Sequence, residues 1–185
     1  MDAERLVTLS RRDLAESTAA LDILVAAWQA QCLAQAIGNH LALCGPQELR
    51  GEARALSEIG GRGGPGIDHP ARRTGARAAH LTEVADMRET LLALGALLGE
   101  VGIALVGVAC ATDEEGLYWQ SIEAIDAADE SSDRVRVMLR RLTVRGRARP
   151  PGTARDHPED GRPVRERADR ERLDMVDPAD SAAGS

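Results

Sequence analysis

The chain has 185 residues, with 23 arginines and no lysine against 30 acids, and its only aromatic side chains are Trp28, Tyr118 and Trp119. A formal charge of -7 repels anionic lipid and nucleic-acid phosphate at long range. A core without phenylalanine must be built from Leu, Val, Ile and Ala, which suits closely spaced helices better than sheets.

The charge is uneven. Residues 143–185 carry nine arginines and nine acids, so the whole -7 belongs to residues 1–142, with 14 arginines against 21 acids. Cys32, Cys44 and Cys110 form no CxxC and no dense framework, so reduced thiols are expected. Asp2 and Glu4 stand where a signal peptide would carry a basic start, and no early apolar region follows, so a cytoplasmic setting is expected.

Leu6, Leu9 (or Ser10) and Leu14 give a first helical stripe. Ser17 or Thr18 either starts a second helix or lies inside one long helix. Leu21, Leu24, Val25, Trp28, Cys32 and Leu33 then recur with an amphipathic period that leaves Gln29, Gln31 and Gln35 outside or at a seam. Gly45-Pro46 stops it. A short helix follows, with Leu49, Ala53, Leu56 and Ile59 on one face and Gly60 available as its cap. Gly60 to Gly66 carries no period and reads as a loop. Helicity is expected to return weakly between residues 71 and 85.

Asp86 and Glu89 have capping-box spacing ahead of a long apolar segment. Leu91 to Ala111 is long enough to cross a bilayer. Glu100 in its middle would cost several kcal/mol there unless paired, and no comparable second span is evident, so membrane insertion is not expected. Leu94, Leu98, Val101, Leu105 and Val108 form a stripe of large residues beside a stripe of small ones, Gly95, Gly99 and Gly102 with Val106. Each helical glycine costs about 1 kcal/mol relative to alanine. Gly95, Gly99 and Gly102 are therefore expected to mark a close helix contact, within the domain or across a homodimer. Glu100 is expected at the rim, paired with an arginine such as Arg88, Arg77 or Arg54. The alternative is a buried carboxylate with a raised pKa.

Thr112 and Glu115 repeat the capping device and open a helix with Leu117, Tyr118, Ile122 and Ile125, of which Tyr118 and Ile122 are expected to face the core or a partner. A last short helix is expected from about Ser132, with Val135, Met138, Leu139 and Leu142 in phase. Beyond Leu142 there is too little apolar surface to offset the entropy of ordering the chain. The expected organisation is thus a helical domain over 1–142 and a disordered charged tail over 143–185.

No complete catalytic or metal-binding set emerges. Glu115, Trp119 and Glu123 share a helix face with Asp126 nearby, and together with Glu100 they form the candidate ligand or partner face. Paired carboxylates do acid–base work only when held against a substrate, so a solvated face is favoured. His40 and Cys44 are one helical turn apart, yet two ligands do not make a zinc site, and the chain has no Glu-x-x-His for a di-metal bundle. No cofactor or metal is expected. "GGRGGPG" lacks the Gly-Lys-Ser/Thr ending of a phosphate loop and follows a helix. Arg62, Arg72, Arg73 and Arg77 are the one basic patch, suited to an anion or an acidic partner. Neutralisation of the domain's own carboxylates is favoured over either.

"WQAQCLAQAIGNHLALCGPQELRGEARALSE" together with "LLGEVGIALVGVACATDEEGLYWQSIEAIDAADES" resembles a family of small uncharacterised proteins from streptomycetes and related actinobacteria, over roughly residues 1–142. The resemblance implies a high-GC origin and a cytoplasmic setting. It implies no activity, cofactor or catalytic residue.

These readings converge on an all-α bundle of four to six helices. A protein-interaction or regulatory module ranks first, with protein partners that include a second copy. A small enzyme or ligand-binding bundle on the acidic face ranks second. Phosphate or nucleic-acid binding through Arg62–Arg77 ranks third.

Overall fold

The computed structural model describes residues 1–62 and 76–148. Among them are five α-helices and no strand: α1 (Ala3–Glu16), α2 (Ala20–Cys44), α3 (Arg50–Arg62), α4 (Met87–Ala111) and α5 (Glu115–Ala148), with short 3-10 turns at Gln47–Leu49 and Arg77–His80. The all-α bundle is as expected. The expectation of a disordered tail falls, from residue 149 onward, outside the described residues.

Helices α1 and α2 are separate. The Ser17 hydroxyl donates to the Asp13 carbonyl (2.8 Å) and its N–H to the Leu14 carbonyl (3.2 Å), which closes α1 before Ala20 opens α2. In α1, Ala3, Leu6, Val7, Ser10 and Leu14 are buried, one face at helical period. Helix α2 is buried more broadly, and Leu24, Ala27, Leu33, Ile37 and Leu41 join the core. Leu21, expected in that stripe, is 45 % exposed, whereas Gln31 is buried.

Helix α4 buries Leu91, Leu94, Leu97, Leu98, Val101, Leu105 and Val108. Full burial of each such side chain stabilises the fold by about 1.5–3 kcal/mol. The Asp86 carboxylate accepts from the Glu89 N–H (2.9 Å), the cap expected there. Packing is most extensive between α4 and α5, and next between α2 and α3. Small α5 residues, among them Ser121, Ala128 and Ser131, are fully buried and let α5 pack closely on the bundle.

Three expectations about boundaries need correction. Gly60 does not end α3, which runs to Arg62. No α-helix forms over residues 76–85, while residues 71–75 lie outside the described residues. This stretch forms the Arg77–His80 turn and an extended segment that holds the N-terminus. There the Met1 ammonium donates to the His80 carbonyl (2.7 Å) and the Ala3 N–H to the Glu83 carbonyl (3.1 Å). Finally, the two helices expected over residues 115–142 are one. Ser132, where the second was expected to begin, is buried inside one continuous helix beside Ser131, whose hydroxyl donates to Gln31 Oε1 of α2 (3.0 Å), and α5 continues past Leu142 to Ala148.

Helix α4 is not alone in being long and apolar enough to cross a bilayer. Helix α2 passes the same test, with mean hydropathy 1.3 against 2.2 for α4. The expectation of a single such segment was therefore wrong. Both helices are core helices of this bundle.

Candidate functional site

The inner side of α4 is closed by α1, α2 and α5, while no other described residue covers its outer side. Leu92, Ile103 and Val106 are 42 %, 77 % and 49 % exposed. A Cβ built on Gly99 or Gly102 would meet nothing within 4 Å, and one on Gly95 would meet only Val135 Cγ1 at an ordinary 3.4 Å. Among the described residues, the close contact expected at Gly95, Gly99 and Gly102 is therefore absent. It occurs instead between α2 and α3. A Cβ on Gly38 would lie 2.8 Å from the Ala53 carbonyl oxygen, and one on Gly60 would lie 2.6 Å from the Gln31 carbonyl oxygen. The physical signal was available in both helices, but glycine spacing alone does not say which face a neighbour covers.

Glu100 is a half-exposed rim residue, as the favoured reading had it, but its partner is none of the three arginines expected. Arg11 of α1 holds it with two hydrogen bonds, Nε–H to Oε2 at 2.9 Å and Nη2 to Oε1. The hydrogen bond to Glu100, then its charge, raises the Arg11 guanidinium above its ordinary pKa. At this exposure such a pair contributes at most about 1 kcal/mol. Arg88 donates to Thr143 Oγ1 (3.3 Å), and Arg77 pairs with Asp13.

On α5, Glu115, Glu123 and Asp126 are exposed and Trp119 is 56 % exposed. They share a surface and are not enclosed. Tyr118, expected against the core or a partner, is 40 % exposed and meets Trp119 edge-on, with ring centroids 5.3 Å apart at 79°. Between α4 and α5 runs an open groove of about 290 Å³, lined by Gly99, Gly102, Ile103, Val106, Ile125 and Asp129. A second, of about 400 Å³, is lined by Thr18, Ala20 and Ile23 against Ala104, Gly107 and Ala111. Both are mainly apolar.

Of the basic patch, only Arg77 is placed in full, and it neutralises Asp13 while its backbone N–H donates to Gln29 Oε1 (3.0 Å). Arg72, Arg73 and the Arg62 side chain lie outside the described residues. Among the described residues no three His, Cys, Asp or Glu side chains are gathered as a metal would require.

Two features escaped the sequence reading. Arg134 and Arg141 of α5 both reach Glu52 of α3 (3.2 and 2.7 Å), and Arg145 reaches Glu48 (2.6 Å). Arg145 had been assigned to the tail. The spacing of Arg134, Arg141 and Arg145 at helical intervals was the available signal, masked by the end of the apolar period. The other is the buried Gln31–Ser131 pair, in which Gln31 Nε2 finds no partner. A glutamine at a seam is visible in sequence, but its partner a hundred residues away is not.

Fold and surface together define a small all-α domain with a bare apolar outer face. The chain belongs to the family of unknown function DUF6099, whose model matches residues 1–141. No curated protein and no solved structure matches it. The family carries no assigned activity.

Proposed function

We propose that this domain is a protein-interaction module that docks through the outer face of α4 and the adjoining first turns of α5. The observation that carries this reading is the exposure of large apolar side chains on those neighbouring faces: Leu92, Ile103 and Val106, with Tyr118 and Trp119. Large apolar side chains exposed on neighbouring faces are a feature of interaction surfaces, and aromatic side chains are frequent anchors of interfaces. An enzyme is less well supported, because Glu115, Glu123 and Asp126 stand on open surface.

A cytoplasmic setting belongs to the same reading. Helices α2 and α4 are packed against α3 and α5, which carry Glu52, Arg134 and Arg141 as ion pairs at their junction. Such charges disfavour a surrounding of lipid.

The test is photo-cross-linking in the host, with a benzophenone amino acid at position 103. The same probe at Arg54, exposed on α3, serves as control. A protein adduct formed from position 103 and absent from position 54 is expected. No protein adduct at position 103 would overturn the reading.

A further inference from the structure

Six exposed residues of α4 lie on one line: Leu92, Ala96, Gly99, Ile103, Val106 and Cys110. Their spacings alternate four, three, four, three, four, which is the seven-residue repeat of a helix-on-helix seam. None is charged. The buried face of α4 is a different line, centred on Leu94, Leu98, Val101, Leu105 and Val108. Among the described residues, nothing covers this second, complete seam.

We infer that the occupant of this seam is a second copy of the chain, its α4 running antiparallel about a two-fold axis near Val101. This rests on the docking face proposed above and names what docks. The argument is self-complementarity of size. Reversing the seam about residue 101 sets Gly99 against Ile103, Ala96 against Val106, and Cys110 against Leu92. Each smaller residue meets a larger one, and every contact occurs twice, as a two-fold interface requires. Ile103 of each copy enters the groove over Gly99 and Gly102, where a Cβ would meet no atom of the described residues within 4 Å. A parallel pairing would stack Gly99 on Gly99 and Ile103 on Ile103 one turn apart. Those two layers demand different helix separations.

Charge fits the same arrangement. On the α1 side of the seam, the half-exposed Arg11–Glu100 pair lies near the axis, so Arg11 of each copy comes close to Glu100 of the other. On the α5 side, Asp129 of one copy faces Asp129 of the other, and each chain carries a net charge of -7, so repulsion outweighs the Arg11–Glu100 attraction and added salt tightens the dimer by screening it. Binding to nucleic acid or anionic lipid through arginine–phosphate contacts would instead weaken with salt.

Size bounds the strength. A seam of 19 residues is roughly 28 Å long, and with the flank of α5 about 20 Å wide, which gives on the order of 550 Å² per copy. Standard interfaces bury about 800 Å² per partner. The dimer is therefore reversible, with a dissociation constant of about 1–100 μM expected from an interface at the small end of the range.

The experiment uses the full chain in analytical ultracentrifugation, from about 1 to about 300 μM to span that range. A reversible dimer is expected, tightened by salt and abolished by Ile103→Asp. Because Ile103 is 77 % exposed, that variant should keep its helicity by circular dichroism. Mild oxidation then reads the orientation. Leu92→Cys should form a covalent dimer with native Cys110 of the other copy, and the bridge should vanish when Cys110→Ser is added. The protein without an introduced cysteine should not cross-link through Cys110, since two antiparallel copies hold those thiols about 27 Å apart along the helix.

A monomer throughout the concentration range, a dimer that survives Ile103→Asp, or rapid Cys110–Cys110 cross-linking would each overturn the inference. So would flotation of the protein with phosphatidylglycerol vesicles in place of dimerisation. Failure here is distinguishable from failure of the docking reading. A monomer that still gives a host-protein adduct at position 103 refutes the second copy alone, whereas a monomer without that adduct refutes both.

Discussion

At the α2–α3 seam a Cβ on Gly38 would sit 2.8 Å from both the Ala53 carbonyl oxygen and the Ser57 nitrogen. On the outer side of α4, a Cβ on Gly99 would meet nothing within 4 Å. Both glycines are mid-helix and carry the same backbone cost, about 1 kcal/mol relative to alanine. At the first, that cost is offset by the approach of another helix backbone that no side chain would permit. At the second, none of the described residues offers compensation. Glycine inside a helix therefore marks where a neighbour is needed, but only the fold says whether the chain supplies it.

The largest test of this contrast is Gly38→Ala. The added methyl meets backbone on α3, which cannot swing aside as a flexible side chain would. Overpacking of this kind typically costs about 1–3 kcal/mol. Urea denaturation should show a lower midpoint with little change in slope. An unchanged midpoint would mean that the seam is looser than described and would break the contrast at its strong end.

Ser131→Ala probes the same inner region by a different force. The buried hydroxyl of Ser131 is the partner of Gln31 Oε1, and Gln31 Nε2 is already unsatisfied. Removing the hydroxyl leaves the amide with both ends bare, at a cost of about 1–3 kcal/mol. Replacing both residues together, Gln31→Leu with Ser131→Ala, should recover much of that loss. A double variant as unstable as the sum of the singles would show that the pair is not coupled.

Gly99→Ala should act with the opposite sign. With open space around the Cβ position, the helix gains propensity and the monomer becomes more stable by up to about 1 kcal/mol. The measurement belongs at sub-micromolar protein, where a second copy does not contribute. A loss of stability there would mean that some part of the chain covers this face after all.

How much of this was legible beforehand divides along the same line. The inner stripe of α4, from Leu94 to Val108, was readable because large apolar residues at helical period leave one physical choice. The Asp86 cap was readable because its hydrogen bond is local. What was missed depends on distant pairings. Ser132 resembles a helix start until Ser131 beside it binds Gln31 and both are buried against the bundle. Gly60 resembles a helix end until α2 lies against it. Arg145 resembles tail until Glu48 is found beside it. The candidate partner face on α5 was readable as an acidic, Trp-centred surface. The uncovered second seam of α4 was not, because Ile103 and Val106 carry no mark in sequence of which side the bundle leaves open.

The smallest effect sharpens the contrast at the far end of the inner seam, where α5 extends to clamp the Gln47–Leu49 turn. Glu48 is held below its ordinary carboxyl pKa, first by the hydrogen bond from its own backbone N–H, then by Arg145 against an opposing desolvation. A carboxyl whose pKa is lower folded than unfolded stabilises the fold at pH values above its ordinary 4.5, and that contribution is lost as pH falls through the lowered value. Stability followed from about pH 6 down to about pH 3 should therefore drop, and part of the drop should disappear in Glu48→Gln. Because the backbone N–H is the larger cause, Arg145→Gln should keep most of the pH dependence that Glu48→Gln removes. Equal losses in the two variants would place the clamp chiefly in the Arg145 bridge. No difference of either from the parent would mean that α5 beyond Leu142 adds nothing measurable to the fold, leaving the extension of α5 with a geometry and no energetic consequence.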